Sequence, residues 1–131
     1  MVNGIKSKEF GCFWRSMFLV AMCYPEKIDT YNSEHVKKMK HYKNYYRSFE
    51  YVIPCKFCRD FIRTDLKRKH PLDFSGRVKL MKSIYIWKDT VNKKLINQNC
   101  PRTRPSPAFS KVLKRYERYR AKCITNKGKC I

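Results

Sequence analysis

Apolar residues recur at intervals of three and four along most of the chain, and breaks rich in proline or polar residues divide that recurrence into five blocks. Such a period buries one face of each block and leaves the other in water. It is the mark of amphipathic helices rather than strands. In Lys8 to Cys23, Trp14, Met17, Phe18, Ala21 and Met22 share one face. Tyr24-Pro25 ends that block, because the residue before a proline is driven out of the helical region. A second block opens at Ser33, a residue able to cap a helix. Its stripe is Val36, Met39, Tyr42, Tyr46 and Phe49, and Lys37, Lys38, Lys40 and Lys43 line the other face. The third starts at Pro54, carries Phe57, Phe61 and Ile62, and stops before His70-Pro71. The fourth begins near Ser75 and runs through Val78, Met81, Tyr85 and Val91 to about Leu95. Gln98 to Ser106 reads as a loop. Ser106-Pro107 then opens a fifth helix with Phe109, Val112, Leu113 and Tyr116 inward. No strand alternation and no internal repeat is visible. The expected fold is all-α, a four-helix bundle with a short fifth helix packed across it.

The length suits one domain, expected over residues 1–120, with 121–131 as a basic flexible tail holding Cys123 and Cys130. Hydrophobic residues make up 43% of the chain and aromatics 15%, enough for a core despite 31% charged residues. No run is long enough to span a bilayer, so no membrane association is expected. Phe13 to Tyr24 is apolar but contains Arg15 and lacks a small-residue cleavage site, so it does not read as a signal peptide. The net charge of +21 fits either a nucleic-acid or acidic partner, or lysines spread over solvated faces. No RNP or C2H2 signature accompanies it, and any nucleic-acid binding is expected to be weak and nonspecific.

The chemistry concentrates in Pro54-Cys55-Lys56-Phe57-Cys58 at the start of the third helix. The helix N-terminus and the cations Lys56 and Arg59 favour a thiolate there. Two sulfurs one turn apart can close and reopen a disulfide. The competing readings are half of a zinc site and an inert pair, since a lone C-x-x-C lacks two zinc ligands and no second C-x-x-C follows. Seven cysteines leave at least one free or paired between chains. Cys12 and Cys23 lie about three turns apart, too far to bond, and are expected as buried free thiols.

Gly11-x-x-Trp14-x-x-Met17-Phe18-x-x-Ala21-x-x-Tyr24-Pro25 resembles the first-helix motif of the Erv/ALR flavin-linked sulfhydryl oxidases. Pro54-Cys55-x-x-Cys58 and the later His70-Pro71 are similar to that family's third-helix signature. Lys88-Asp89-Thr90-Val91-Asn92-Lys93-Lys94-Leu95 and Pro107-x-Phe109…Lys111-Val112-x-x-Arg115-Tyr116 echo its next two elements. The resemblance implies a thiol oxidase that passes electrons from protein dithiols through Cys55 and Cys58 to FAD and then to O2, giving H2O2. It implies flavin contacts from Gly11, Trp14, Phe18, Tyr24, Lys88, Asp89, Asn92, Lys93, Leu95, Arg115 and Tyr116, with Lys93 and Lys94 as phosphate neighbours. Trp14 and Tyr116 read equally as core, and Lys93 and Lys94 as a solvated helix end. Cys55, at the very start of its helix, is the expected accessible sulfur for substrate. Cys58, facing the bundle, would meet the flavin. Cys123 and Cys130 are either a shuttle disulfide on a mobile arm or a static one. A homodimer through the first two helices is also implied.

The chain departs from the family at Phe18, Lys88 and Asp89, where the family has histidine, histidine and asparagine. Tyr85 and Cys100 stand near the family's second cysteine pair without reproducing it, and residues 97–106 read as an insertion. These departures and the short chain look like viral members, which implies the host cytoplasm or the virion. A basic nucleic-acid-binding module and a zinc-stabilised interaction domain are the alternative functions.

Overall fold

A computed structural model of the chain describes residues 7–100 and 103–125, with side chains for 11–100 and 103–120. The described residues form helices and no strand. The first helix is Ser7–Ala21, the second Ser33–Val52 and the fourth Arg77–Asn97. The third is Lys56–Phe61, continued by a π-helical turn, Ile62–Leu66, and a last turn, Lys67–Lys69. The fifth is Phe109–Thr125, so it enters the segment read as a tail; Cys130 lies outside the described residues. No helix among the described residues is long and apolar enough to cross a membrane.

One core joins the five. The first helix supplies Met17, Phe18 and Ala21, the second Tyr46 and Phe49, the third Phe61, and its π turn Ile62 and Leu66. The fourth supplies Leu80, Met81, Ile84 and Trp87, and the fifth Val112 and Tyr116. The first helix packs on the fourth, the second on the third, and the fifth on the fourth. Val36 and Val78, expected inward, are exposed, because each stands in the first turn of its helix at the edge of the packed layer.

The helix ends differ from expectation in physically clear ways. Asn32, not Ser33, caps the second helix: its Oδ1 accepts from the Glu34 and His35 N–H groups at 3.0 and 3.3 Å. The third helix starts at Lys56 because Cys55, in extended backbone, serves as its cap. The fourth ends in a Schellman turn. Asn99 is left-handed at φ 57°, and the Cys100 N–H reaches the Leu95 carbonyl at 3.1 Å.

The connectors lock these helices together. The Ile28 N–H donates to the Ser75 carbonyl and the Arg77 N–H to the Pro25 carbonyl, both at 2.9 Å. The backbones meet so closely that a Cβ on Gly76 would lie 2.5 Å from the Glu26 carbonyl oxygen. Two tyrosines of the second helix donate to first-helix carbonyls: Tyr46 to Met17 at 2.7 Å and Tyr42 to Val20 at 3.1 Å. The Trp87 indole donates to the His70 carbonyl, pinning the end of the third helix to the fourth.

Candidate active site

Cys55 and Cys58 are brought together as the cap and first turn of the third helix. The Cys58 N–H donates to the Cys55 Sγ at 3.2 Å, and both thiols are free. Cys55 is 3% exposed, whereas Cys58 is half-buried. This reverses the expected order of accessibility. As a cap, Cys55 folds its side chain back over the first turn instead of projecting from the helix end. Ile53, two residues before it, is also buried.

The thiolate expected at the pair is disfavoured at Cys58. Burial, and then the Cys55 thiol beside it, push the Cys58 thiol up to about 12. Arg59 opposes this without prevailing. Its guanidinium donates to the Ile53 carbonyl and so is directed at the backbone. Desolvation outweighs the helix terminus and one engaged cation. Among the described residues, no group of three or more His, Cys, Asp or Glu side chains gathers as a metal site would.

The first turn of the third helix is held by the end of the fourth. Phe57 and Phe61 stack at 6.2 Å between centroids. The Lys94 ammonium lies 4.7 Å from the first ring and 4.1 Å from the second. Lys93 is exposed and ion-paired with Asp89 at 2.9 Å. Both lysines thus have partners within the protein, other than the expected phosphate.

A different pair of cations stands out. Lys88 is half-buried, and its pKa is lowered by burial first and by Arg115 second. No carboxylate within salt-bridge distance balances it among the described residues. Nearby, the ring of Phe18 stacks on Tyr116 at 5.3 Å, with planes inclined by 24°. Arg115 and Arg15 both act on the Tyr116 hydroxyl. Sequence reading missed Arg15, although it follows Trp14 and lies one helical turn before Phe18. Gly11 faces open space, since a Cβ there would meet nothing within 4 Å. Asn92 donates to the Ser106 hydroxyl at 2.9 Å, tying the fourth helix to the loop before the fifth. Trp14 is partly buried against the core, and Leu95 is half-buried beside the Schellman turn.

Tyr24 stands apart from this group. Its ring packs on Tyr42 and Phe74, and its hydroxyl donates to the Phe74 carbonyl at 2.6 Å. Cys12 and Cys23, expected buried, are exposed: Cys12 falls opposite the apolar stripe of the first helix, and Cys23 stands in the turn that follows it. Cys100 is half-buried. The side chain of Cys123 and all of Cys130 lie outside the described residues.

Trp14, Phe18 and Tyr116, with Gly11 and the cations Lys88 and Arg115, are residue types that a flavin dinucleotide uses. Such a ligand needs an aromatic and apolar slot, a close approach at glycine, and cations for its pyrophosphate. No curated protein matches the chain. A sequence profile of the Erv1/Alr family, whose members are FAD-linked sulfhydryl oxidases, matches residues 12–117. With a helical fold, a C-x-x-C opening the third helix and a family match over most of its length, the chain belongs to the Erv1/Alr family.

Proposed function

We propose that this protein is an FAD-dependent thiol oxidase that forms disulfides in protein substrates, with O2 as the final acceptor and H2O2 as product. The observation that carries this reading is the Cys55–Cys58 pair, joined by an N–H···S hydrogen bond at the opening of a helix. A substrate thiolate attacks Cys55 of the oxidised pair, forming a mixed disulfide and releasing the Cys58 sulfur, which takes up a proton. A second substrate thiolate then displaces Cys55. One substrate disulfide has formed, and the pair holds two electrons and two protons.

Bound FAD would accept those two electrons and pass them to O2; the flavin, not the protein, supplies that chemistry. Gly11 would admit it closely, Phe18, Trp14 and Tyr116 would flank it, and Lys88 and Arg115 would balance its phosphates. The family resemblance assigns Cys58 to the flavin side, although Cys55 is the more buried of the two sulfurs. Cys55 is almost wholly buried, so substrate reaches it only when the start of the third helix opens locally. A homodimer through the first two helices belongs to the same proposal. Leu19 and Val36 leave apolar surface on them.

Denaturing the purified protein should release FAD near one per chain. Cys58→Ser should abolish turnover and let Cys55 trap a disulfide-linked substrate adduct. Cys55→Ser should abolish turnover without that adduct. Finding no FAD after reconstitution, or full activity in either variant, would overturn the reading.

A further inference from the structure

Three exposed large apolar side chains lie within four residues of Cys55: Tyr51 at 68% exposure, Val52 at 58% and Phe57 at 47%. Exposed apolar side chains that group together mark interaction sites. Each aromatic also carries a cation. The Arg63 guanidinium lies 5.5 Å from the Tyr51 centroid, and the Lys94 ammonium 4.7 Å from that of Phe57. Lys56, between the cysteines, is exposed.

Among the described residues, two carboxylates act on these cations: Asp60 lies 3.2 Å from Arg63, and Asp65, ion-paired with Lys69, also interacts with Lys94. Glu50 is nearly buried and ion-paired with Lys67 at 3.3 Å. The exposed apolar side chains flanking the pair in sequence thus carry cations, Arg63 on Tyr51 and Lys94 on Phe57. They belong to a chain with 31 Lys and Arg against 10 Asp and Glu, most of whose cations cannot find a carboxylate within the molecule.

We propose that Tyr51, Val52 and Phe57, edged by Lys56, Arg63 and Lys94, form the docking surface for the oxidase's protein substrate, and that this substrate presents its dithiol in an acidic segment bearing apolar side chains. The proposal rests on the thiol-oxidase reading. Apolar side chains of the segment cover the exposed aromatics, and its carboxylates meet the cations held over them. Charge complementarity of this kind raises the rate of encounter and excludes basic competitors. A nucleic acid fits less well. Its phosphates would satisfy the cations, but it supplies no thiol to the pair beside them.

The FAD-loaded, full-length protein should be offered two C-x-x-C peptides of equal length, one flanked by Glu and Leu and the other by Lys and Leu. Dithiothreitol serves as a small dithiol without a docking segment. The acidic peptide should be oxidised with a kcat/KM about tenfold higher than the basic one, and the advantage should shrink as salt is raised. In Arg63→Glu and in Tyr51→Ser, the ratio of acidic-peptide to dithiothreitol oxidation should fall several-fold. Reading that ratio within each variant cancels any general loss of activity, and far-UV circular dichroism confirms folding.

Equal treatment of the two peptides, or an unchanged ratio in both variants, overturns the docking proposal while leaving the oxidase reading intact. Docking is overturned in the same way if a single-stranded DNA oligonucleotide binds at physiological salt while the peptides remain indistinguishable. Failure to oxidise any dithiol overturns both.

Discussion

Cys58 and Lys88 are both half-buried groups whose ionised forms are disfavoured, and each yields a prediction. The Cys58 thiol, raised to about 12, stays protonated in the reduced protein at neutral pH. Alkylation of Cys58, followed by mass spectrometry, should therefore be slow at pH 7 and accelerate only above the ordinary thiol range. Rapid modification at pH 7 would contradict this. The linkage has a definite sign: a raised folded pKa gives stability that is full below the unfolded value and lost as pH climbs through the folded one. Lys88 bears a partly desolvated charge repelled by Arg115. Removing that charge should help the empty fold and harm flavin retention. Lys88→Met is expected to raise the Tm of FAD-free protein by a few degrees, since relief of about 1 kcal/mol shifts a domain this size by that much. The same variant should bind FAD about tenfold more weakly, as read from flavin retained on gel filtration. A variant that keeps its FAD would remove Lys88 from the site.

Helix ends and connectors respond to backbone geometry rather than to charge. Asn99 holds the left-handed position of the Schellman turn, which glycine adopts without cost. Asn99→Gly should stabilise the protein by a few tenths of a kcal/mol, and Asn99→Val should destabilise it by about 1 kcal/mol, both read from denaturant midpoints. Gly76 is a different case. Its φ of −177° suits any residue, but its hydrogen faces the Glu26 carbonyl. Gly76→Ala must push two backbones apart and should cost about 1–3 kcal/mol. A neutral result would mean that the connector is not packed as described. The π turn at Ile62–Leu66 is the element that periodicity missed. Ile62 and Leu66 are both buried four residues apart, the step of an unbroken helix, so the apolar pattern carries no trace of it.

Across the whole molecule, buried and half-buried tyrosines tie the second helix to the first, and the connector after the first helix to the one before the fourth. Burial first, and neighbouring groups second, raise Tyr24 and Tyr42 to about 12, and Tyr46 is raised further. Each hydroxyl donates to a backbone carbonyl and loses that bond on ionising. Stability held by these neutral phenols is complete below about pH 10, the unfolded value, and is lost as pH rises toward 12 and beyond. Urea denaturation should show a midpoint little changed up to pH 9 and falling steeply between pH 10 and 12. A flat profile to pH 12 would show that the tyrosines are not held as donors.

Five helices, the breaks at Pro25 and Pro71, and the cysteine pair at a helix start were readable from the chain alone. Period, proline and capping chemistry act over a few residues, so neighbours in sequence are enough to reveal them. The same local logic correctly placed most of the core stripes. It misjudged Val36 and Val78 because the length of a partner helix is not written in the stripe. It also misordered Cys55 and Cys58. A cap can turn its side chain outward or back over the first turn, and only the surrounding packing shows that Cys55 turns inward. The charge state of Cys58, the cations Lys88 and Arg115 beside the Phe18–Tyr116 stack, and the engagement of Lys93 and Lys94 elsewhere arise between helices distant in sequence. Desolvation and Coulomb interactions depend on those distances through space, which only the tertiary structure sets.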